Sequence, residues 1–271
     1  MSPGYLIVVS EEDPVAPRVA AHWGTPESTG DHVDRAAVRR LRPGVEVVRR
    51  PGFHVHDERL DGRLPARFQE GRSTLVFPSV HRSEQGVECL TVHPLGNPGP
   101  TADVGGRPGV VNPTDPGRMT AALRLLAEGG AAFGAAATFE ATHHGPELAL
   151  PSFYVEIGYG ERPAPSAESV ALLARTIPEL TVPPDDHIAF GVGGGHYAPH
   201  FTDLALRRRW SFGHLLSRHA LETTSRETVR SMWASTPNAE GLLFARARDA
   251  ELPVISGLAP RLRDGAAPPR G

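Results

Sequence analysis

An α/β fold built around a mixed β-sheet is predicted by three features of this 271-residue chain. Short apolar runs recur and close on proline, glycine or histidine. Amphipathic helical stretches separate several of these runs. A few runs follow one another too closely for an intervening helix, which makes some neighbouring strands antiparallel.

The first strand is read at Tyr5–Val9, an apolar run of five residues bounded by Ser10, Glu11 and Glu12. It is too short, and lacks the basic flank, for a signal peptide or a membrane span. A short helical stretch follows Pro14 and ends near Gly24-Thr25-Pro26. Residues 24–72 interleave Pro, Gly and Arg, and only Val45–Val48 is strand-like, so an irregular excursion or small subdomain is expected there. Ser73–Phe77 reads as a second strand closed by Pro78, and Glu88–His93 as a third closed by Pro94. Alternation in the third places Cys89, Thr91 and His93 on one face and Leu90 and Val92 on the other.

Asp115 followed by Pro116 marks a helix start, with Met119, Ala122, Leu123 and Leu126 at helical spacing before Gly129 and Gly130. Ala136–Thr142 and Phe153–Ile157 read as strands, Ser166 as the cap of a helix ending at Pro178, and His187–Val192 as another strand. Thr224 and Glu227 form a capping box for a helix through Met232 and Trp233. The expected organisation is one α/β domain over residues 1–255 and a disordered tail over 256–271, where Gly, Ala, Pro and Arg dominate.

Composition narrows the chemistry. The single cysteine, Cys89, excludes an intrachain disulfide and a thiolate zinc knuckle, and makes the reducing cytoplasm the expected compartment. No lysine is present, which removes Walker-type phosphate loops, Schiff-base chemistry and serine–lysine dyads. A net charge of −3 gives no global attraction to nucleic acid, although Arg207, Arg208, Arg209 and Trp210 form a local basic-aromatic cluster. There is no Gly-x-Ser-x-Gly elbow, and Cys89 sits in an apolar strand, so a water activated by metal or histidine suits the inventory better than a covalent nucleophile.

The 13 histidines carry the strongest signal. Four strands each hand one to the residues that follow: His81, His93, the pair His143-His144, and His196. Should those strand ends lie together, the imidazoles would share a cleft with Glu140 and Glu156, forming a zinc site or an acid–base pair. In Glu140-Ala141-Thr142-His143-His144-Gly145-Pro146, extended geometry would align Glu140, Thr142 and His144, while His143 braces the turn or faces the substrate. The run Gly193-Gly194-Gly195 follows a strand, but Pro199 argues against a dinucleotide-type helix start. Its glycines offer either a tight turn or amide donors for an oxyanion.

Taken in order, several blocks resemble the archaeal and plant type of D-aminoacyl-tRNA deacylase: Leu6–Asp13, His81-Arg82-Ser83-Glu84, Leu90–His93 with Gly96-Asn97, Glu140–Pro146, Val155–Gly158, Gly193–Pro199 and Gly213-His214. The resemblance implies cleavage of the ester between a D-amino acid and the terminal ribose of tRNA, with zinc as cofactor. It also implies a three-layer α/β/α sandwich of the phosphorylase/peptidyl-tRNA hydrolase class. On that reading His81, His93, His144, His196 and Glu156 are metal ligands. Glu140, His143, His144 and His196 act on the water, and the Gly194 and Gly195 amides receive the oxyanion. Arg82, Tyr197 and Arg208 contact substrate, with the Arg207–Arg209 run gripping phosphates. The chain departs from the family at Tyr159–Pro163 and Phe244–Ala247. Two other readings share these residues: a hydrolase of another ester or amide, and a non-catalytic protein that binds the tRNA end.

Overall fold

The structure is a computed structural model that describes residues 4–82, 88–160 and 164–262; the Arg82 side chain falls outside the described part. Its strands are β1 Tyr5–Ser10, β2 Glu27–Val33, β3 Ala36–Arg42, β4 Val45–Arg50, β5 Thr74–Arg82, β6 Cys89–Pro94, β7 Ala136–Phe139, β8 Ser152–Tyr159, β9 His187–Val192, β10 Trp210–Leu216 and β11 Gly241–Phe244. The α-helices are α1 Ala16–Ala20, α2 Ala66–Glu70, α3 Pro116–Gly130, α4 Ala167–Thr176, α5 Pro199–Arg207, α6 Arg218–Leu221 and α7 Arg226–Ala234.

Eight strands form one mixed sheet in the order β2-β3-β4-β1-β5-β8-β6-β7, and β10-β9-β11 form a second, parallel sheet. Strand β1 is buried along its whole length between parallel neighbours β4 and β5, which explains its unbroken apolar run. Ile7, Val76, Leu90, Val92, Phe153, Val155 and Ile157 pack with α1, α3 and α4. Leu6, Val8, Leu75, Phe77 and Tyr154 pack against Val55, Leu60, Leu64 and Phe68 from the turns before β5. Each large apolar side chain so enclosed contributes about 1.5–3 kcal/mol of burial. This is an α/β fold with a mixed sheet and several helices.

Helix starts follow the local signals. The Asp115 carboxylate accepts from the Arg118 amide at 3.0 Å with Pro116 in the first turn of α3, and Ser166 accepts from the Ser169 amide at 3.1 Å to open α4. The cap of α7 is Ser225, accepting from the Thr228 amide at 3.0 Å, one residue beyond the expected Thr224.

Other details differ from the sequence reading. Pro78 does not end its strand: β5 runs through it to Arg82 because pairing with β1 stops at Val76, leaving Pro78 a partner on one side only, where a missing N–H is tolerated. Pro199 does not oppose a helix; it is the first residue of α5, the position where proline's absent N–H and fixed φ fit best. Residues 24–72 are more regular than their composition suggests, because β2, β3 and β4 extend the main sheet as an antiparallel ribbon. In the expected disordered tail, Leu242 N–H donates to the Pro260 carbonyl at 2.8 Å and Leu262 N–H to the Leu242 carbonyl at 2.9 Å, so 256–262 is tied to β11; residues 263–271 lie outside the described part.

The two sheets meet at residues 140–142. Ala141 N–H donates to the His196 carbonyl and Thr142 N–H to the Leu215 carbonyl, both at 2.8 Å. This seam brings the turn after β7 beside the turn after β9.

Candidate active site

The register of β5, β8 and β6 creates the floor of the site. Ser79 pairs with Glu156 and Glu156 with Thr91; His81 pairs with Gly158 and Gly158 with Cys89; His93 pairs with Tyr154. Pleating turns all of these to the sheet face that carries Phe77 and Tyr154. Because β6 runs antiparallel to β8, the histidines gather over this face and not on a common rim of carboxyl ends, as the sequence reading expected.

Four titratable groups converge there with three more imidazoles beside them. His81 Nδ1 is 3.3 Å from Glu140 Oε1 and 3.7 Å from Glu156 Oε2, and His93 Nε2 is 3.4 Å from Glu156 Oε2. His143 Nε2 and His196 Nε2 each lie 3.6 Å from Glu140 Oε2. The His93 ring centroid is 4.0 Å from that of His143 and 4.9 Å from that of His144.

These separations exceed the ~2.7–2.9 Å of charge-assisted hydrogen bonds. Two ligands each ~2.0–2.1 Å from one tetrahedral zinc would stand roughly 3.4 Å apart, which matches them. Among the described residues, both Glu140 carboxylate oxygens and His93 Nε2 are buried with no hydrogen-bond partner. A fully buried carboxylate without donors is costly, and a cation at its centre removes that cost. Three groups of ligand atoms fall within 4.8 Å of one another: His93-His143-His144, His81-Glu140-His196 and His93-Glu140-Glu156.

The imidazoles are oriented for this role. His143 Nδ1 donates to the Ala141 carbonyl at 2.8 Å, His144 Nδ1 to the Gly145 carbonyl at 2.8 Å, and His93 Nδ1 to the Pro94 carbonyl at 3.2 Å. Each bond leaves Nε2 as the lone-pair nitrogen. Burial and then the neighbouring imidazoles push His93 and His143 well below the ordinary histidine value, and burial lowers His81 and His144, so the neutral ligand form prevails. Burial, and after it the Glu140 charge, lifts Glu156 well above the usual carboxylate range.

The structure reassigns several side chains. Thr142 does not join Glu140 and His144: its hydroxyl is 3.0 Å from His214 Nδ1 and accepts from the Leu215 amide at 3.1 Å. The backbone is not extended at this point, since His144 has φ +40°. His214 Nε2 donates to the Asn112 carbonyl at 2.9 Å, and Asn112 Nδ2 donates to the Pro146 carbonyl at 2.9 Å, so this buried pair braces the histidine turn. Tyr197, expected at the substrate, lies with its hydroxyl 2.9 Å from His81 Nε2 and orients that ring. Cys89 is not in an apolar setting: its thiol is beside Tyr197, Glu140 and Glu156, and burial raises its pKa, which keeps it a thiol.

Gly193 and Gly194 adopt φ of +96° and +85°, as a tight turn requires. The Gly193 amide is taken by the Leu216 carbonyl at 2.8 Å. Arg208 is not brought to the site. It precedes β10, whose start pairs with the start of β9, whereas His196 follows the other end of β9. Six residues of strand separate them, about 20 Å at ~3.3 Å per residue. Arg207 is paired with Asp203 and Arg209 with Asp185, on that same far end.

Sequence reasoning missed the chain Asp13–Ser79–His54. Ser79 Oγ donates to Asp13 Oδ2 at 2.9 Å and lies 3.1 Å from His54 Nε2. Asp13 also accepts the Val15 and Ala16 amides at 2.7 Å and the Val80 amide at 3.1 Å. Burial pushes His54 down to about 3, so it is neutral. His54, Ser79, His81, His144 and Glu156 border a cavity of about 580 Å³. The only local signal was Asp13 in the block Leu6–Asp13; His54 sits in a turn with no periodicity to mark it.

Similarity to known proteins follows the same residues. The family model described as D-aminoacyl-tRNA deacylase matches residues 68–255. A D-aminoacyl-tRNA deacylase of Thermoplasma acidophilum is 36% identical over 252 residues, covering 89% of this chain and 90% of that protein. One from Methanosphaerula palustris is 41% identical over 183 residues, 65% of this chain, which spans only 39% of that longer relative. Among solved structures, the crystal structure of AF0625, a conserved protein of unknown function, superposes with a TM-score of 0.78 at 26% identity over 90% of this chain and 86% of that one. The matched segment spans every residue of the His/Glu cluster, and the chain belongs to the D-aminoacyl-tRNA deacylase family of the archaeal and plant type.

Proposed function

We infer that this centre hydrolyses the ester between a D-amino acid and the 3′-terminal ribose of tRNA, releasing both. Family membership makes the chain an ester hydrolase of D-aminoacyl-tRNA. The observation that carries the chemical reading is Glu140: a carboxylate buried without a hydrogen-bond donor, with His81, His143 and His196 at 3.3–3.6 Å.

The residues fit zinc through three overlapping groups of ligand atoms, His93-His143-His144, His81-Glu140-His196 and His93-Glu140-Glu156, which between them contain the expected ligands His81, His93, His144, His196 and Glu156 and add His143 and Glu140. Zinc, when bound, supplies Lewis-acid polarisation and acidifies water. Glu140 Oε2 takes the proton of the attacking water as its oxygen bonds to the ester carbonyl carbon. The proton so held on Glu140 is then delivered to the ribose oxygen as the carbon–oxygen bond breaks, with the half-exposed His196 3.6 Å from the same carboxylate oxygen. The Gly194 and Gly195 amides are the proposed oxyanion donors, the Gly193 amide being already engaged. Arg82, at the end of β5 one residue past His81, is the proposed contact to the tRNA end.

The mixed sheet, with helices on one face and short helical turns on the other, supports a three-layer α/β/α architecture of the phosphorylase/peptidyl-tRNA hydrolase class. A cytoplasmic location, where charged tRNA is found, follows from the substrate. No helix among the described residues is long and apolar enough to cross a membrane.

The test compares release of tyrosine from D-tyrosyl-tRNA and L-tyrosyl-tRNA by the wild-type protein and His144→Ala. The expected result is turnover of the D ester, little of the L ester, and none by the variant. Equal turnover of both esters, or full activity of the variant, would overturn the reading.

A further inference from the structure

The cavity beside the His/Glu cluster is lined by two unlike sets of side chains. His81, His144, Glu156 and Ser79 are polar; Phe53, Val55 and Val104 are apolar. The loop bearing Val104 is fastened to the catalytic turn, since Gly145 N–H donates to the Val104 carbonyl at 3.0 Å. We propose that this cavity receives the side chain of the D-amino acid, and that Phe53, Val55 and Val104 select bulky apolar and aromatic side chains.

This rests on the deacylase reading and adds to it. With the ester carbonyl against His81 and Glu156, the group entering the cavity must lie within a few bonds of the carbonyl carbon. The side chain branches from the adjacent carbon, whereas the adenine base lies beyond the whole ribose. The apolar lining offers burial to a hydrocarbon or ring. A volume of about 580 Å³ lies within the range of pockets that enclose whole small ligands, so an aromatic side chain fits.

The experiment measures kcat/KM for D-tyrosyl-tRNA and D-alanyl-tRNA with wild type, Val104→Trp and Phe53→Ala. Val104 is 45% exposed on its loop, so the larger side chain can fill the cavity mouth without entering the core. Wild type is expected to favour the D-tyrosyl ester. Val104→Trp should lower kcat/KM for that ester by on the order of tenfold or more, the size of effect a single pocket contact carries, with the D-alanyl ester within twofold. Phe53→Ala should lower the D-tyrosyl value selectively by a similar factor. Equal loss on both esters would assign the cavity to the terminal adenosine and overturn the proposal, as would an unchanged ratio in both variants. A wild type that releases neither amino acid would instead overturn the deacylase reading itself.

Discussion

His81 Nδ1 lies 3.3 Å from Glu140 Oε1, and this one approach joins the end of β5 to the seam between the two sheets. Neither residue has the other as a sequence neighbour, and the carboxylate has no hydrogen-bond donor to compensate its burial.

Replacing Glu140 by Gln should lower kcat for D-tyrosyl-tRNA by about 10²–10⁴-fold, the usual weight of a positioned acid–base group. In chelator-treated protein the same change should raise stability by on the order of 1–3 kcal/mol, because a carboxamide costs less to bury than an uncompensated carboxylate. Thermal melting beside the kinetic assay checks both signs; a fall in both would mean that Glu140 is structural.

Elemental analysis of the purified protein should find zinc. Chelation should abolish deacylation and lower the melting temperature, and zinc should restore both. His93→Ala should reduce the bound metal, since His93 Nε2 is buried, without a partner, and 3.4 Å from Glu156. Metal content in that variant equal to wild type would remove His93 from the ligand set.

Stability should fall on acidification between pH 6.5 and about 3. Burial pushes His54 and His214 down to about 3 in the folded protein, whereas an unfolded histidine takes its proton near the ordinary 6.5. Below that value the unfolded chain binds protons that the native state refuses, so each residue's contribution is complete above pH 6.5 and is lost as the pH falls. The slope is at most about 1.4 kcal/mol per pH unit for each histidine. His214→Gln should cost about 1–3 kcal/mol at pH 7 through its lost buried hydrogen bonds. It should also narrow the difference between urea midpoints at pH 7 and pH 5; an unchanged difference would show that His214 does not titrate on unfolding.

Arg208→Ala should leave kcat/KM for D-tyrosyl-tRNA within twofold, since Arg208 sits at the opposite end of β9 from His196. A tenfold rise in KM would show that the bound tRNA reaches that far end.

Much of the fold was legible where burial on both faces writes a continuous apolar run, as in β1, or where a cap precedes an amphipathic stretch, as in α3 and α4. The ribbon β2–β3 was not legible because its exposure is mixed along both strands, and a twisted edge ribbon carries no uninterrupted hydrophobic signal. Of the site, the histidine blocks were visible as residues that end strands. His54 and Ser79 were not, because a turn and a lone serine within a strand carry no pattern until Ser79 pairs across the sheet with Glu156.

By itself the sequence determined which residue types were on hand, that their chemistry excluded lysine and serine-elbow mechanisms, and which family the ordered blocks belong to. Only the tertiary structure decided that His143 as well as His196 faces Glu140, that Tyr197 serves His81, and that Arg208 lies at the far end of β9 from His196. The reason is physical: facing atoms are set by strand direction, register and the seam between two sheets, and these are long-range pairings that no local stretch of chain encodes alone.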